Sequence, residues 1–353
     1  VTMVTGGMAV DGFPDQQIAR IQLSPLRSLD DSFSGLADEH GNQVSDLDLA
    51  RRRDALIGAF DRIEPDCLVI EAFPFARRQM RFELLPLLEH VATLPTGLRP
   101  MIVSSIRDIL QPKSAKRDEA TAQLVQNHFD LVLVHGDERF ATLDETFSAS
   151  DSISDRLVYT GMVAPSNETV PASDRYDVIV SAGGGAVGEE LLHASVAARE
   201  LTSLKSARWL IIAGPNLPEE AFARLQASLS GQIEISRFRP DLANLLRKAK
   251  VSVSQAGYNT VADVLSARCA GVLVPFAAGG EQEQTIRATR LEQAGLAISL
   301  SQQNLSASRM AFAIEAACKL DLANTSDMRL DGAANTAAIL KQRHETFRHG
   351  LST

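Results

Sequence analysis

Short runs of β-branched and aliphatic residues alternate with stretches whose apolar positions recur every three or four residues, from one end of the chain to the other. In the first half the apolar runs are Val1–Gly7, Arg20–Leu26, Cys67–Phe73, Pro100–Ile106 and Leu131–Asp137. Leu47, Ala50, Ala55, Leu56, Ala59, Phe60 and Ile63 share one face of a helix, and Leu84, Leu85, Leu88 and Val91 share a face of another. Near-continuous apolar strands joined by helices predict a parallel sheet covered on both sides. The second half repeats the pattern more regularly. Strands are predicted at Tyr176–Ala182, Ala207–Gly214, Gln232–Phe238, Val251–Gly257, Ala270–Phe276 and Leu296–Leu300. Helices fit at Glu189–Leu201, Pro218–Ser228, Leu242–Lys248, Thr260–Ala267, Glu283–Ala294 and Ser306–Ala317, with a last one at Ala333–Phe347.

Between the halves, Thr160–Asp177 is rich in proline and serine and poor in apolar residues, which marks a linker centred on 166–175. The predicted organisation is α/β, with two doubly wound, Rossmann-like domains at 1–165 and 176–325 and a C-terminal helix within 326–353. Val1 already lies inside an apparent strand, so the first domain either starts unconventionally or lacks a leading βα unit.

Three segments combine a strand end, a turn and a helix start. Ser181–Leu192 runs into three consecutive glycines, Gly183, Gly184 and Gly185, followed by Ala186 and a helix opening on Glu189 and Glu190. Such a turn lets the backbone approach a phosphate, and it also serves as a plain tight connection. No GK[ST] follows, which excludes a Walker loop. Ser254–Leu265 brings Gly257, then Asn259 and Thr260 as natural N-cap residues, with Asp263 one turn on. That carboxylate suits ribose hydroxyls or the helix dipole equally. In Pro275–Ala288 an Ala-Ala-Gly-Gly turn precedes Glu281, Gln282, Glu283 and Gln284, mixed donors and acceptors of the kind sugar hydroxyls require. All three segments fall at carboxyl ends of predicted parallel strands, where open α/β sheets bind ligands.

Composition narrows the classes. Of 353 residues, 45% are hydrophobic and 22% charged, an ordinary globular balance, and the net charge of −9 argues against generic nucleic-acid binding. The charge is uneven: residues 1–175 hold 17 Lys/Arg and 27 Asp/Glu, and residues 176–353 hold 18 and 17, so the second half repels an anion less. Three scattered cysteines exclude a disulfide framework and a cysteine zinc site. No apolar run approaches the ~20 residues that span a bilayer. A cytoplasmic protein is expected, with peripheral contact at the inner face of the membrane compatible with that. Asp46-Leu47-Asp48 matches a metal-binding DxD pattern but precedes a helix and reads as a cap and dipole arrangement; no metal site is expected.

The segment Gly183–Gly188, the stretch Phe238–Asp241, AGYNTVAD at Ala256–Asp263, and the block from Pro275 through EQEQ to Ala288 and Gly295 resemble the C-terminal domain of family 28 glycosyltransferases, of the peptidoglycan N-acetylglucosaminyltransferase type. The resemblance covers roughly residues 176–320, with four motifs in the family's order. The opening VTGG, RRQMRFELLPLLE and HGD segments of the first half are similar to bacterial proteins described as predicted glycosyltransferases. The resemblance implies the GT-B fold, two Rossmann-like domains facing across a cleft. It implies a nucleotide sugar, UDP-linked, as co-substrate, and no cofactor. The Gly183–Ala186 backbone would hold the diphosphate, beside Gly257, Asn259 and Thr260, and the Arg239 backbone would meet the uracil edge. Asp263 stands where the family has a glutamate on the ribose, and Glu283 and Gln284 where it has two glutamines on the donor sugar. Arg287 replaces an asparagine, and the family's amino-terminal glycine-rich loop with its histidine is absent from this sequence.

First-domain chemistry is read from the residues themselves. Glu71, Arg107 with Asp108, and His135 with Asp137 end predicted strands and so face the cleft. Residues 71–117 hold eight Lys/Arg and four Asp/Glu, so Arg77, Arg78 and Arg107 could grip an anionic or lipid-linked acceptor, or be solvated surface charges. The general base of an inverting, metal-independent transfer is expected to be Glu71, partly desolvated, ahead of His135 and Asp108. A nucleotide-sugar hydrolase or epimerase on the same fold, and a non-catalytic nucleotide-sugar-binding protein, are the alternatives.

Overall fold

The structure, a computed structural model, describes residues 1–8, 17–29, 35–165, 174–183, 188–322 and 327–351. β1 (Thr2–Thr5) pairs in parallel with β2 (Ala19–Gln22), and a small antiparallel ladder joins β3 (Arg27–Ser28) to β4 (Leu36–Ala37). α1 (Asp46–Ile63) starts at Ser45, whose hydroxyl accepts from the Asp48 amide while the Asp48 carboxylate accepts from the Ser45 amide. This capping box accounts for the DxD pattern. β5 (Cys67–Glu71), α2 (Arg81–Ala92), β6 (Met101–Arg107), α3 (Ala115–His128), β7 (Leu131–His135) and β8 (Leu157–Tyr159) follow. β5, β6, β7 and β8 form a parallel sheet in that order.

The predicted single first-domain sheet is therefore two pieces, since β1 and β2 pair only with each other among the described residues. Periodicity identifies a strand but not its neighbour. The pieces share a core: Leu23 beyond β2, Leu56 and Phe60 of α1, and Ile70 of β5 lie in one buried cluster.

The second domain alternates without interruption. Its elements are β9 (Val178–Ser181), α4 (Glu189–Ala198), β10 (Trp209–Ile212), α5 (Glu219–Ser228), β11 (Ile233–Ser236), α6 (Leu242–Leu246), β12 (Val251–Ser254), α7 (Tyr258–Ser266), β13 (Ala270–Leu273), α8 (Glu283–Gln293), β14 (Ala297–Ser299) and α9 (Ala307–Ala317). The six strands are all parallel, in the order β11-β10-β9-β12-β13-β14. Val178, Val180, Trp209, Val251 and Val253 pack against Leu192, Met310 and Ile314 on one face. Ile179, Leu210 and Ile212 pack against Leu245, Leu246 and Val264 on the other. Burial on both faces is why these strands read as continuous apolar runs.

α10 (Gly332–Leu351) does not stay with the second domain. Its Ile339, Leu340 and Phe347 pack on Met101, Val103, Leu131 and Leu133 of the first sheet. Arg348 reaches the Gly97 carbonyl at 2.9 Å, and the Asn335 amide donates to the Thr160 carbonyl at 2.8 Å. The outgoing and returning passes of the chain meet in an antiparallel bridge between Val163 and Asp331.

Candidate active site

Numbered from β9, the second sheet runs 3-2-1-4-5-6, so its strand order reverses between β9 and β12 and opens a crevice at their carboxyl ends. Gly183, just past β9, has φ +70°, a region that L side chains rarely adopt. A Cβ there would stand 3.3 Å from Gln255 Oε1, so the loops after β9 and β12 face each other. Gly188 opens α4, and a Cβ on it would come 2.2 Å from the Cβ of Ala182. The helix start is thus pressed against the strand end, and its first amides have no partner within the helix. Gly184, Gly185 and Ala186 lie outside the described residues.

Beyond β12 the N-cap of α7 is Gly257, with Tyr258 the first helical residue. The expected capping by Asn259 or Thr260 is not what forms: both sit inside the first turn. Asp263 is half-buried, and burial raises its carboxyl to about 6. The Arg239 guanidinium is bidentate on Asp241, with both contacts at 2.8 Å, which leaves the backbone of Arg239 as the part that could meet a base.

The third loop is tied to the second by Gln284. Its Oε1 accepts from the amides of Ala256 and Phe276, each at 3.1 Å. Glu283 is ion-paired with Arg287 at 3.0 Å. Both side chains expected on sugar hydroxyls are therefore engaged in holding the loops.

Arg287 is the joint of the site. It is fully buried; one terminal nitrogen donates to Asp108 Oδ1 at 2.8 Å across the domain boundary, and the other to the Ala256 carbonyl at 3.1 Å. Asp108, also fully buried, is thus an ion-pair partner and not a cleft-facing base, which corrects its assignment. Asp108 Oδ2 and Arg287 Nε have no hydrogen-bond partner among the described residues. Tyr258 lies under both Arg107 and Arg287, at 5.5 and 5.6 Å, and its hydroxyl accepts from the Val163 amide. Burial pushes that phenol up to about 12. Gln111 adds a second cross-domain tie, donating to the Gly280 carbonyl and accepting from the Gln282 amide. Ile109, Phe140 and Met162 pack on Tyr258, Val261 and Leu291, giving the boundary an apolar core. Nothing in local patterning pointed to Gln111 or Tyr258; for Arg287 the one signal was its departure from the family's asparagine.

Across the crevice, Glu71 ends β5, Arg107 ends β6 and His135 ends β7. Glu71 is exposed, not desolvated as expected, and pairs with none of Arg77, Arg78 or Arg107 among the described residues. Arg77 and Arg78 are exposed where β5 leads into α2. His135 is half-buried, with Nε2 2.7 Å from Ser105 Oγ and Nδ1 2.9 Å from Thr160 Oγ1. Burial pushes the imidazole below its ordinary value, and the Glu71 carboxylate acts in the opposite sense.

Residues 178–342 match the family model described as the glycosyltransferase family 28 C-terminal domain. The second half carries the likeness to family 28. A curated relative from Hahella chejuensis, named UDP-N-acetylglucosamine--N-acetylmuramyl-(pentapeptide) pyrophosphoryl-undecaprenol N-acetylglucosamine transferase, is 31% identical over 93 residues, 26% of each chain. A relative of the same name from Synechococcus elongatus is 28% identical over 147 residues, 41% of this chain and 40% of its own. The chain thus aligns with a quarter to two-fifths of the length of these two relatives. Among solved structures, the calicheamicin glycosyltransferase CalG4 superposes with a TM-score of 0.62 at 16% identity, over 98% of this chain and 90% of its own. MurG of Acinetobacter baumannii does so with a TM-score of 0.51 at 13% identity, over 92% and 87%. The fold of the chain is the two-domain GT-B fold of these structures. No helix among the described residues is long and apolar enough to cross a membrane.

Proposed function

We propose that the chain is a glycosyltransferase that binds a UDP-linked sugar at the β9/β12 switch point and transfers the sugar, with inversion, to an acceptor hydroxyl held by the first domain. The observation that carries this is the close approach of Gly188, at the start of α4, to the end of β9, at the point where the 3-2-1-4-5-6 sheet reverses. The diphosphate lies on the Gly183–Ala186 backbone and the helix start, where amides and dipole stabilise the departing charge without a metal. Gly257, Asn259 and Thr260 border it, the Arg239 backbone meets the base, and Asp263 takes the ribose hydroxyls. Glu283 and Gln284 shape the sugar pocket. Arg77, Arg78 and Arg107 suit an anionic acceptor. The names of the curated relatives give a UDP-sugar donor and a lipid-linked pyrophosphoryl acceptor for those proteins, which supports the same classes here. The proton of the acceptor leaves toward the sheet end that carries Glu71 and His135.

UDP at ~100 times its dissociation constant should stabilise the chain by ~2.7 kcal/mol, with the melting shift unchanged by EDTA. Loss of the shift in EDTA would remove the metal-free reading, and no shift in either condition would remove the donor site. UDP release from UDP sugars, with and without candidate acceptors, separates transfer from hydrolysis and from mere binding.

Asp263 supplies a pH signature. Raised to about 6, its carboxyl contributes stability that is fully present below the usual carboxylate range and is lost as pH rises through 6. Ribose hydroxyls donate to the ionised form, so binding at low pH must first expel a proton. Uridine, which has no phosphate to titrate, should bind about tenfold more weakly at about pH 5 than at pH 7.5. Asp263→Asn should flatten that profile; a profile of the same slope in the variant would take Asp263 off the ribose.

A further inference from the structure

A hydrogen-bonded row crosses the carboxyl ends of the first sheet, and its protons can be assigned. Thr160 Oγ1 faces two carbonyls, of Gly161 at 2.8 Å and of Val134 at 3.4 Å, and its single proton is directed to them. It can therefore only accept from His135 Nδ1, which carries the ring proton. Nε2 is then bare and accepts the hydroxyl proton of Ser105 at 2.7 Å. The lone pairs of Ser105 Oγ are left to accept from whatever enters beside it, and Ser105 is only half-buried. In the sheet register Ser105 lies opposite Glu71, and His135 lies opposite Arg107, which covers the ring of Tyr258 beside the donor-loop Gly257. The row thus stands where the acceptor side meets the donor loops.

We propose that Ser105 is a catalytic residue that takes the acceptor's proton and passes its own to His135. The proposal rests on the glycosyltransferase reading above. As the acceptor oxygen bonds to the anomeric carbon, the bond from that carbon to the diphosphate oxygen breaks, and the nucleotide leaves with the electron pair. The acceptor proton moves to Ser105 Oγ while the Ser105 proton moves to His135 Nε2. The product is an imidazolium held by Thr160 and offset by the Glu71 carboxylate; it returns its proton to solvent after release. Burial keeps His135 neutral beforehand, which leaves Nε2 bare, and the Glu71 carboxylate offsets the cost of the charge the ring then gains. Glu71 is then a positioning charge and not the base itself.

The test uses the chain with UDP-N-acetylglucosamine and a panel of other UDP sugars, water serving as the probe acceptor, with UDP binding followed separately by melting shift. Ser105→Ala and His135→Asn should each lower turnover ~10²–10³-fold at unchanged UDP binding, with the double variant no worse than either alone. Ser105→Thr, which keeps the hydroxyl, should recover most of the rate, and Glu71→Gln should cost no more than about tenfold. Ser105→Ala within threefold of the parent overturns the relay, as does a larger fall for Glu71→Gln than for Ser105→Ala. A parent chain that binds UDP yet hydrolyses none of the sugars also overturns it, because a poised base activates water. A parent that binds no UDP fails the glycosyltransferase reading itself.

Discussion

Arg287→Ala should lower the stability of the chain by about 3–5 kcal/mol, because it strands the buried Asp108 carboxylate without the guanidinium that pairs it. Both partners are fully buried, and their contact is 2.8 Å. The same substitution frees Glu283 and removes a donor from the Ala256 carbonyl, so the second and third loops lose their common anchor. Replacing both ends, with Arg287→Met and Asp108→Leu together, should recover most of the loss, since the cost lies in the unpaired charge more than in the missing attraction. Urea unfolding of the three variants reads this directly. A loss below ~1 kcal/mol for Arg287→Ala would mean that solvent reaches the joint and that the domains are not held by it.

Gly188→Val should abolish the UDP melting shift. The first carbon of the new side chain would fall 2.2 Å from the Cβ of Ala182, and its next contacts are Ala182 backbone atoms. Nothing there is a flexible side chain that can swing aside, so α4 must back away from β9 by an ångström or more. The amides at its start then move with it, away from the diphosphate site proposed above. Overpacking of this kind costs typically 1–3 kcal/mol, which the second domain's core can absorb. A folded variant that binds UDP normally would reduce the glycine segment to a plain turn.

Much of this was legible in the sequence because the second domain buries both sheet faces. Its six strands and six helices lie within a few residues of their predicted bounds, and the loops after β12 and β13 fall at the strand ends as expected. What local patterning could not carry was pairing between distant segments. Arg287 and Asp108 lie in different domains, and neither's own neighbourhood specifies the other. Asp108 followed a strand exactly as a cleft-facing base would, and only its complete burial against Arg287 separates the two cases. Gln284 and Glu283 were recognised as a polar cluster, but hydrogen bonding to backbone amides and to a guanidinium uses the same atoms that a sugar would. The row from Ser105 to Thr160 runs through three neighbouring strand ends, and its serine carries no local signature. The splitting of the first sheet was likewise invisible, because an apolar run names a strand without naming its neighbour.

The crossing of α10 onto the first domain has a consequence for how the molecule is made. During vectorial synthesis the strands that hold Met101, Val103, Leu131 and Leu133 emerge well before the helix that covers them. Until Ile339, Leu340 and Phe347 arrive, one face of that sheet has no apolar cover, and its contribution to stability is deferred. The second domain, whose strands and covering helices through α9 are contiguous in the chain, can close its core without waiting. The usual order in which domains mature on the ribosome, amino-terminal first, is therefore inverted here. The half that emerges first is the half that finishes last.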